Sequence, residues 1–161
     1  MGTGKTTVGK ILAEMLGFVY VDSDDEIVRV SGETIVNLFT QLGEARFREF
    51  ETEIIRTLSQ LEKVVIGCGG GVVINQENIK MLHDHSKIFL LTASSEEILQ
   101  RINEDLSRPL LNTDNKLKRI IELMKARNNY YLNAADIIID TEKRTPLEVT
   151  NEILKQLGED L

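Results

Sequence analysis

The sequence predicts an α/β fold, a parallel sheet of short strands covered by helices on both faces. Three observations point there. Apolar runs recur at Phe18 to Val21, Val64 to Ile66, Ile88 to Leu91 and Ile137 to Ile139, the pattern of strands buried on both sides. Segments of helical period separate them, as the crossovers between parallel strands require. The chain also opens with Gly4-Lys5-Thr6 ahead of a helical pattern, the back half of a phosphate-binding loop, G-x-x-x-x-G-K-[ST].

The elements follow in order. Gly2, Thr3 and Gly4 lead into a helix opened by Lys5, Thr6 and Thr7, with Val8, Ile11, Leu12 and Met15 at helical spacing. Such a loop presents backbone N–H groups and a lysine to nucleotide phosphates, and turns its Thr hydroxyl toward magnesium. The helix directs its positive end at the same anion. The loop's first glycine would fall two positions before Met1 and its feeding strand earlier still. The first strand is therefore expected to be missing from this chain.

Gly17 is a helix stop before the strand at Phe18 to Val21. Asp25 to Val30, Ile35 to Leu42 and Glu44 to Leu61 read as helices, the last with one stripe of Phe47, Phe50, Ile54 and Leu58. Val64 to Ile66 runs into Gly69-Gly70-Gly71, then Gln76 to Leu82 is a helix. Ser94-Ser95-Glu96-Glu97 has the form of a capping box for the helix carrying Ile98, Leu99 and Ile102. Asn103 to Asn115 is polar, contains Pro109 and reads as a mobile loop. Lys116 to Tyr131 is helical, Ile137 to Ile139 a strand, and Thr145-Pro146-Leu147-Glu148 caps a last helix with proline at its first position.

Composition narrows the class. The 161 residues suit one domain with its own core. Lys plus Arg number 19 against 26 for Asp plus Glu, a net charge of −7, which argues against a nucleic-acid partner. Cys68 is the single cysteine, so no internal disulfide exists and a reducing compartment, the cytoplasm, is expected. No apolar run is long enough for a membrane span. His83 and His85 read as exposed helix-end residues, and a structural zinc site is not expected.

Ligands of such sheets bind beyond the carboxyl ends of the strands, so the loops after Val21, Ile66 and Leu91 are expected to share one rim with the phosphate loop. Asp22-Ser23-Asp24 follows the first apolar run. Its carboxylates can hold a magnesium shell and orient a hydroxyl, or cap the next helix, or both. Three successive glycines, Gly69 to Gly71, let the backbone approach a ligand closely. Arg48, Arg108 and Arg127 are candidate cations for ATP and a carboxylate, and closure of the loop around Arg108 would exclude water.

This set resembles the shikimate kinases. The residues that carry the resemblance are Gly4-Lys5-Thr6, Asp22-Ser23-Asp24, Gly43-Glu44-Ala45-Arg46-Phe47-Arg48-Glu49-Phe50-Glu51, Gly69-Gly70-Gly71, Arg108-Pro109-Leu110-Leu111 and Arg127, in that order from Gly2 to about Leu157. GKT and D-x-D are weak signals alone; their ordered combination is specific.

The resemblance implies a P-loop sheet of order 2-3-1-4-5 and transfer of the ATP γ-phosphate to the 3-hydroxyl of shikimate, with Mg2+. It implies phosphate contacts from Gly2 to Thr7, with Lys5 on the β/γ-phosphates. Thr6 and Asp22 would serve the metal, and Asp24 the substrate hydroxyls as base or orienter. Arg48, Arg127 and Gly69 to Gly71 would hold the substrate, Arg108 would meet the transferring group, and Arg101 would lie near adenine. A single shikimate-kinase-like domain over 1–161 is expected, with a lid near 103–115, a substrate-binding segment near 23–61, and a monomeric state. A gluconate-type sugar-acid kinase and a non-catalytic nucleotide-binding module are the rival readings.

Overall fold

The computed structural model describes residues 2–104 and 113–159. The elements run α1 (Lys5–Leu16), β1 (Val19–Asp22), α2 (Ser23–Ser31), α3 (Ile35–Leu58), β2 (Val64–Gly67), a 3-10 turn (Val72–Ile74), α4 (Gln76–His83), β3 (Phe89–Thr92), α5 (Ser95–Glu104), α6 (Thr113–Ala134), β4 (Ile137–Asp140) and α7 (Pro146–Glu159). Two compact units divide them, one formed by Gly9–Ile88 and the other by Met1–Val8 with Phe89–Leu161.

In the Gly9–Ile88 unit, β1 and β2 pair in parallel, with Val19 opposite Val64 and Asp22 opposite Gly67. The strands thus end level, and Asp22-Ser23-Asp24 leaves the sheet beside Gly67-Cys68-Gly69. The core here joins Ile27 of α2 to Leu38, Phe47, Ile54 and Leu58 of α3. Phe47 is 2% exposed, and its truncation to alanine would cost roughly 3–5 kcal/mol. α3 contains a break at Gly43, whose φ of 74° and ψ of 167° are not helical. The two predicted helices on either side of it are therefore both present. Ile55, Val72 and Leu82 form a second cluster, with Cys68 packed against it.

In the other unit, β3 and β4 pair in parallel, from Phe89 opposite Ile137 to Thr92 opposite Asp140. Ala93, Ile98 and Ile120 make the core between α5 and α6. Both pairs are parallel, as predicted for strands joined by helical crossovers.

Some expectations change. Met15, predicted on the apolar stripe of α1, is 49% exposed, while Ala13 is buried in its stead. Val19 and Ile138 are 65% and 51% exposed, so β1 and β4 are not covered throughout; among the described residues each pairs with one strand. Of the loop predicted at 103–115, Asn103 and Glu104 belong to α5, and Thr113, Asp114 and Asn115 to α6. Arg108, Pro109, Leu110 and Leu111 lie outside the described residues.

The box at Ser94 is half formed. Its Oγ accepts the Glu97 N–H at 3.2 Å, but the Glu97 carboxylate turns to Arg101, and the Ser94 N–H goes to Glu142 at 2.9 Å instead. A guanidinium is the stronger partner for that carboxylate. The box at Thr145 is complete: the Thr145 N–H donates to Glu148 Oε2 at 2.7 Å, and the Glu148 N–H to Thr145 Oγ1 at 3.3 Å.

Candidate active site

The phosphate loop takes the expected form. Gly4 has φ of 87°, a left-handed conformation that glycine adopts without strain, and its carbonyl accepts the Val8 N–H at 2.9 Å. Helix α1 starts at Lys5, so Thr6 and Thr7 lie in its first turn, where free N–H groups gather. Both threonines are exposed. At Gly2 a Cβ would stand 2.9 Å from Ile98 Cγ2 and 3.3 Å from Ile102 Cγ1. Glycine there lets the loop lie directly on α5.

A second constellation forms in the Gly9–Ile88 unit. Asp22 caps α2, accepting the Asp24 N–H on Oδ1 and the Tyr20 hydroxyl on Oδ2, both at 3.0 Å. The capping reading thus holds for Asp22. A carboxylate accepts at more than one position per oxygen, so capping as such does not exclude a metal's water shell. Asp24, exposed on the first turn of α2, lies so close to Gly69 that a Cβ there would come within 3.0 Å of its Cγ.

Arg48 comes from α3 to the same glycine turn. A Cβ at Gly71 would stand 2.7 Å from its Nη2 and 2.8 Å from its Cζ. Its Nη1 donates to Glu51 Oε2 at 2.7 Å, and Glu44 lies 3.6 Å from Nη2. The Cζ is 5.6 Å from the Phe39 ring centre and 5.3 Å from that of Phe47. These rings stack on each other at 4.2 Å and attract the cation through their faces. Arg48 Nε is buried without a hydrogen-bond partner, which leaves the Nη end of the guanidinium as its working edge. Asp24, Gly69, Gly71 and Arg48 are thereby brought together.

Arg101 on α5 is held from several sides. Its Nε donates to Glu97 Oε1 at 2.9 Å, Nη1 to Thr141 Oγ1 at 3.0 Å and Nη2 to the Thr141 carbonyl at 2.7 Å. Thr141 is fixed in turn by donating to the Thr92 carbonyl at 2.8 Å. With its edges engaged, Arg101 offers its flat faces, which suit a planar π system. Arg127 is half-buried on α6. His83 and His85 are exposed. Among the described residues no three His, Cys, Asp or Glu side chains cluster as a metal cage, and no helix is long and apolar enough to cross a membrane.

Three residues that build these sites carry no role in the sequence reading, although Glu51 and Ser23 stand inside its motifs. Glu51 is 2% exposed and stands three positions from Arg48, a spacing that puts the two on one helix face. Thr141 gives no local signal, because its bond to Arg101 spans 40 positions. Ser23 was no more than the middle of D-x-D, yet it is fully buried.

A glycine turn that hands its phosphate-binding role to a helix opening Lys-Thr-Thr, on a parallel-stranded α/β frame, defines a P-loop phosphotransferase. Comparison with known proteins makes the class specific. The family model described as Shikimate kinase matches residues 1–158. A shikimate kinase of Caldicellulosiruptor bescii is 44% identical over 154 residues, 96% of this chain and 89% of that protein. The structure titled as shikimate kinase from Acinetobacter baumannii in complex with shikimate superposes with a TM-score of 0.89 at 35% identity, over 99% of this chain and 89% of that one. Shikimate kinase from Aquifex aeolicus gives 0.83 at 34%, over 99% and 93%. The chain belongs to the shikimate kinase family.

Proposed function

We propose that this chain transfers the γ-phosphoryl group of ATP to the 3-hydroxyl of shikimate, giving shikimate 3-phosphate and ADP. Family membership supports the reaction and disfavours the gluconate-type and non-catalytic readings. The observation that carries the substrate assignment is the meeting of Asp24 and Arg48 at one glycine turn. A hydroxyl acceptor and a carboxylate are the two groups that such a pair would take.

The roles follow. Backbone N–H groups from Gly2 to Thr7 and the Lys5 ammonium hold the phosphates. Asp24 orients the 3-hydroxyl and takes its proton as its oxygen bonds the γ-phosphorus and the bond to ADP breaks. In a loose transition state this proton leaves late, so an ordinary carboxylate suffices. Arg48 holds the substrate carboxylate, with the glycine turn Gly69 to Gly71 beside it; the Gly69 N–H itself is taken by Ser23 Oγ. Arg127 supplies a second guanidinium and Arg108 meets the transferring group; both assignments rest on the family's pattern. Arg101 stacks on adenine through its free face.

Mg2+ is the fitting metal. Thr6 and Asp22 are hard oxygen donors, and Asp22 is already tied by two hydrogen bonds. Mg2+ keeps several waters and needs few protein ligands. When bound it would neutralise charge on the phosphate oxygens. The chain acts in the cytoplasm as a monomeric single domain, with 23–61 as substrate segment and 103–115 as lid.

Coupled measurement of ADP release by this chain, with shikimate and gluconate as acceptors, tests the reading. Shikimate-dependent turnover is expected. Turnover with gluconate alone, or ATP binding without turnover on either, would overturn it.

A further inference from the structure

We infer that Ser23, the middle residue of Asp22-Ser23-Asp24, is a positioning residue that sets the geometry of the acceptor site. Its hydroxyl ties the glycine turn to the helix that carries Asp24. This inference rests on the shikimate reading above.

Ser23 is the first residue of α2 and is completely buried. A serine there commonly faces solvent or bonds its own backbone. This one accepts the Gly69 N–H on its Oγ at 2.8 Å, across 46 positions of sequence. Parallel register is what permits the bond: Asp22 stands opposite Gly67, so Ser23 and Gly69 emerge together just past the strand ends. From there the turn is pinned in sequence. The Gly69 carbonyl accepts the Val72 N–H at 3.1 Å, and the Val72 carbonyl accepts Nδ2 of the buried Asn78 at 3.1 Å.

One hydroxyl therefore acts on three groups. Asp24 is its neighbour in the chain and lies against Gly69, the residue it holds. Two residues on, Gly71 backs the Arg48 guanidinium. Loss of the hydroxyl leaves the Gly69 N–H buried without its acceptor, and the turn must move to find another partner. A shift of the turn changes its spacing from both Asp24 and Arg48, groups that need placement to about half an ångström. Asp22, on the metal side, is held by its own bonds to the Tyr20 hydroxyl and the Asp24 N–H. The groups proposed to touch ATP belong to other segments, so the consequence falls on the acceptor.

The test compares Ser23→Ala with Ser23→Thr, varying shikimate and ATP separately. Ser23→Ala should raise the shikimate KM roughly tenfold, as expected for an orphaned buried donor, with the ATP KM unchanged. Ser23→Thr keeps the acceptor oxygen and should restore the wild-type value. If Ser23→Ala does not fold, Ser23→Cys, of similar volume and with a weak sulfur acceptor, makes the same comparison. An unchanged shikimate KM, or equal rises in both KM values, would overturn the inference. Should the wild-type chain turn over no shikimate, the substrate reading falls. Hydrogen exchange of the Gly69 amide then decides on Ser23 alone: acceleration of roughly tenfold or more in the alanine variant supports the tie, and an unchanged rate refutes it.

Discussion

Gly71→Ala probes the acceptor site with one added methyl group. The new Cβ would stand 2.7 Å from Nη2 and 2.8 Å from Cζ of Arg48, where unstrained contact needs roughly 3.5 Å. Nη1 lies nearer still, so the guanidinium must retreat by roughly 1 Å, or the turn must yield by as much. Retreat is opposed by the 2.7 Å ion pair to Glu51, whose side chain is 3% exposed, and by the adjacent faces of Phe39 and Phe47. Disturbing a hydrogen bond between charged, shielded groups costs roughly 1.5–3 kcal/mol. A misplacement of about 1 Å at a substrate-positioning group lowers the rate by about 10²-fold. The shikimate kcat/KM should accordingly fall about 30- to 100-fold, with the ATP KM unchanged. The melting temperature should fall by roughly 3–12 °C for a chain of this size. Coupled ADP release at varied shikimate, followed by thermal melting, measures both effects. A variant whose kcat/KM stays within about twofold of wild type would show that the close approach of Arg48 to the turn is not used, and the carboxylate assignment would fall with it.

Other perturbations separate the remaining roles. Arg48→Ala should raise the shikimate KM by about 10²-fold or more and leave the ATP KM near normal; equal rises in both would make Arg48 structural. Thr141→Val removes the hydroxyl that links Arg101 to the Thr92 carbonyl, and should raise the ATP KM roughly fivefold without moving the shikimate KM. The opposite pattern would remove Arg101 from the nucleotide side. The Glu148 carboxyl is held below the usual carboxylate range, first by the Thr145 N–H and then by the Thr145 hydroxyl. Its folded pKa is therefore lower than its unfolded one, so this stabilisation is complete at neutral pH and is lost as pH falls through the folded value. Glu148→Gln should melt below wild type at neutral pH, and the gap should close in acid below about pH 4. A gap that stays constant over that range would refute the capping role.

How much was legible in the sequence depends on the range of the interaction. Helix ends written in a few residues, such as Gly17 after α1 or Thr145 to Glu148 before α7, were read correctly because their chemistry is local. The strands were legible as apolar runs, but the exposure of Val19 and Ile138 was not, since composition does not say which strand lies at an edge. Asp24 and Gly69 were singled out for separate reasons. Their contact follows from the β1–β2 register, which no single segment encodes. Glu97 was misread as closing a capping box because the pull of Arg101, itself set by Thr141 from far along the chain, could not be seen locally.

The arginines explain how an acidic chain can still serve anions. Arg48 is paired with Glu51 three positions on and approached by Glu44 four positions back; Arg101 is paired with Glu97 four positions back. In each case the carboxylate lies one helical turn away, where it fixes the guanidinium's orientation with little extra ordering of the chain. Part of the positive charge is neutralised in place, so the formal charge of −7 says nothing about the local field. The unspent capacity is directional. The Nη end of Arg48 faces the glycine turn while Nη1 bonds Glu51, and the donors of Arg101 are engaged at its edges. On the proposed roles, Arg48 would offer the remaining Nη hydrogens to a carboxylate and Arg101 a face to a planar ring. Charge-conserving Arg→Lys changes at either position should then fail almost as badly as alanine, because an ammonium has neither an edge nor a face to offer.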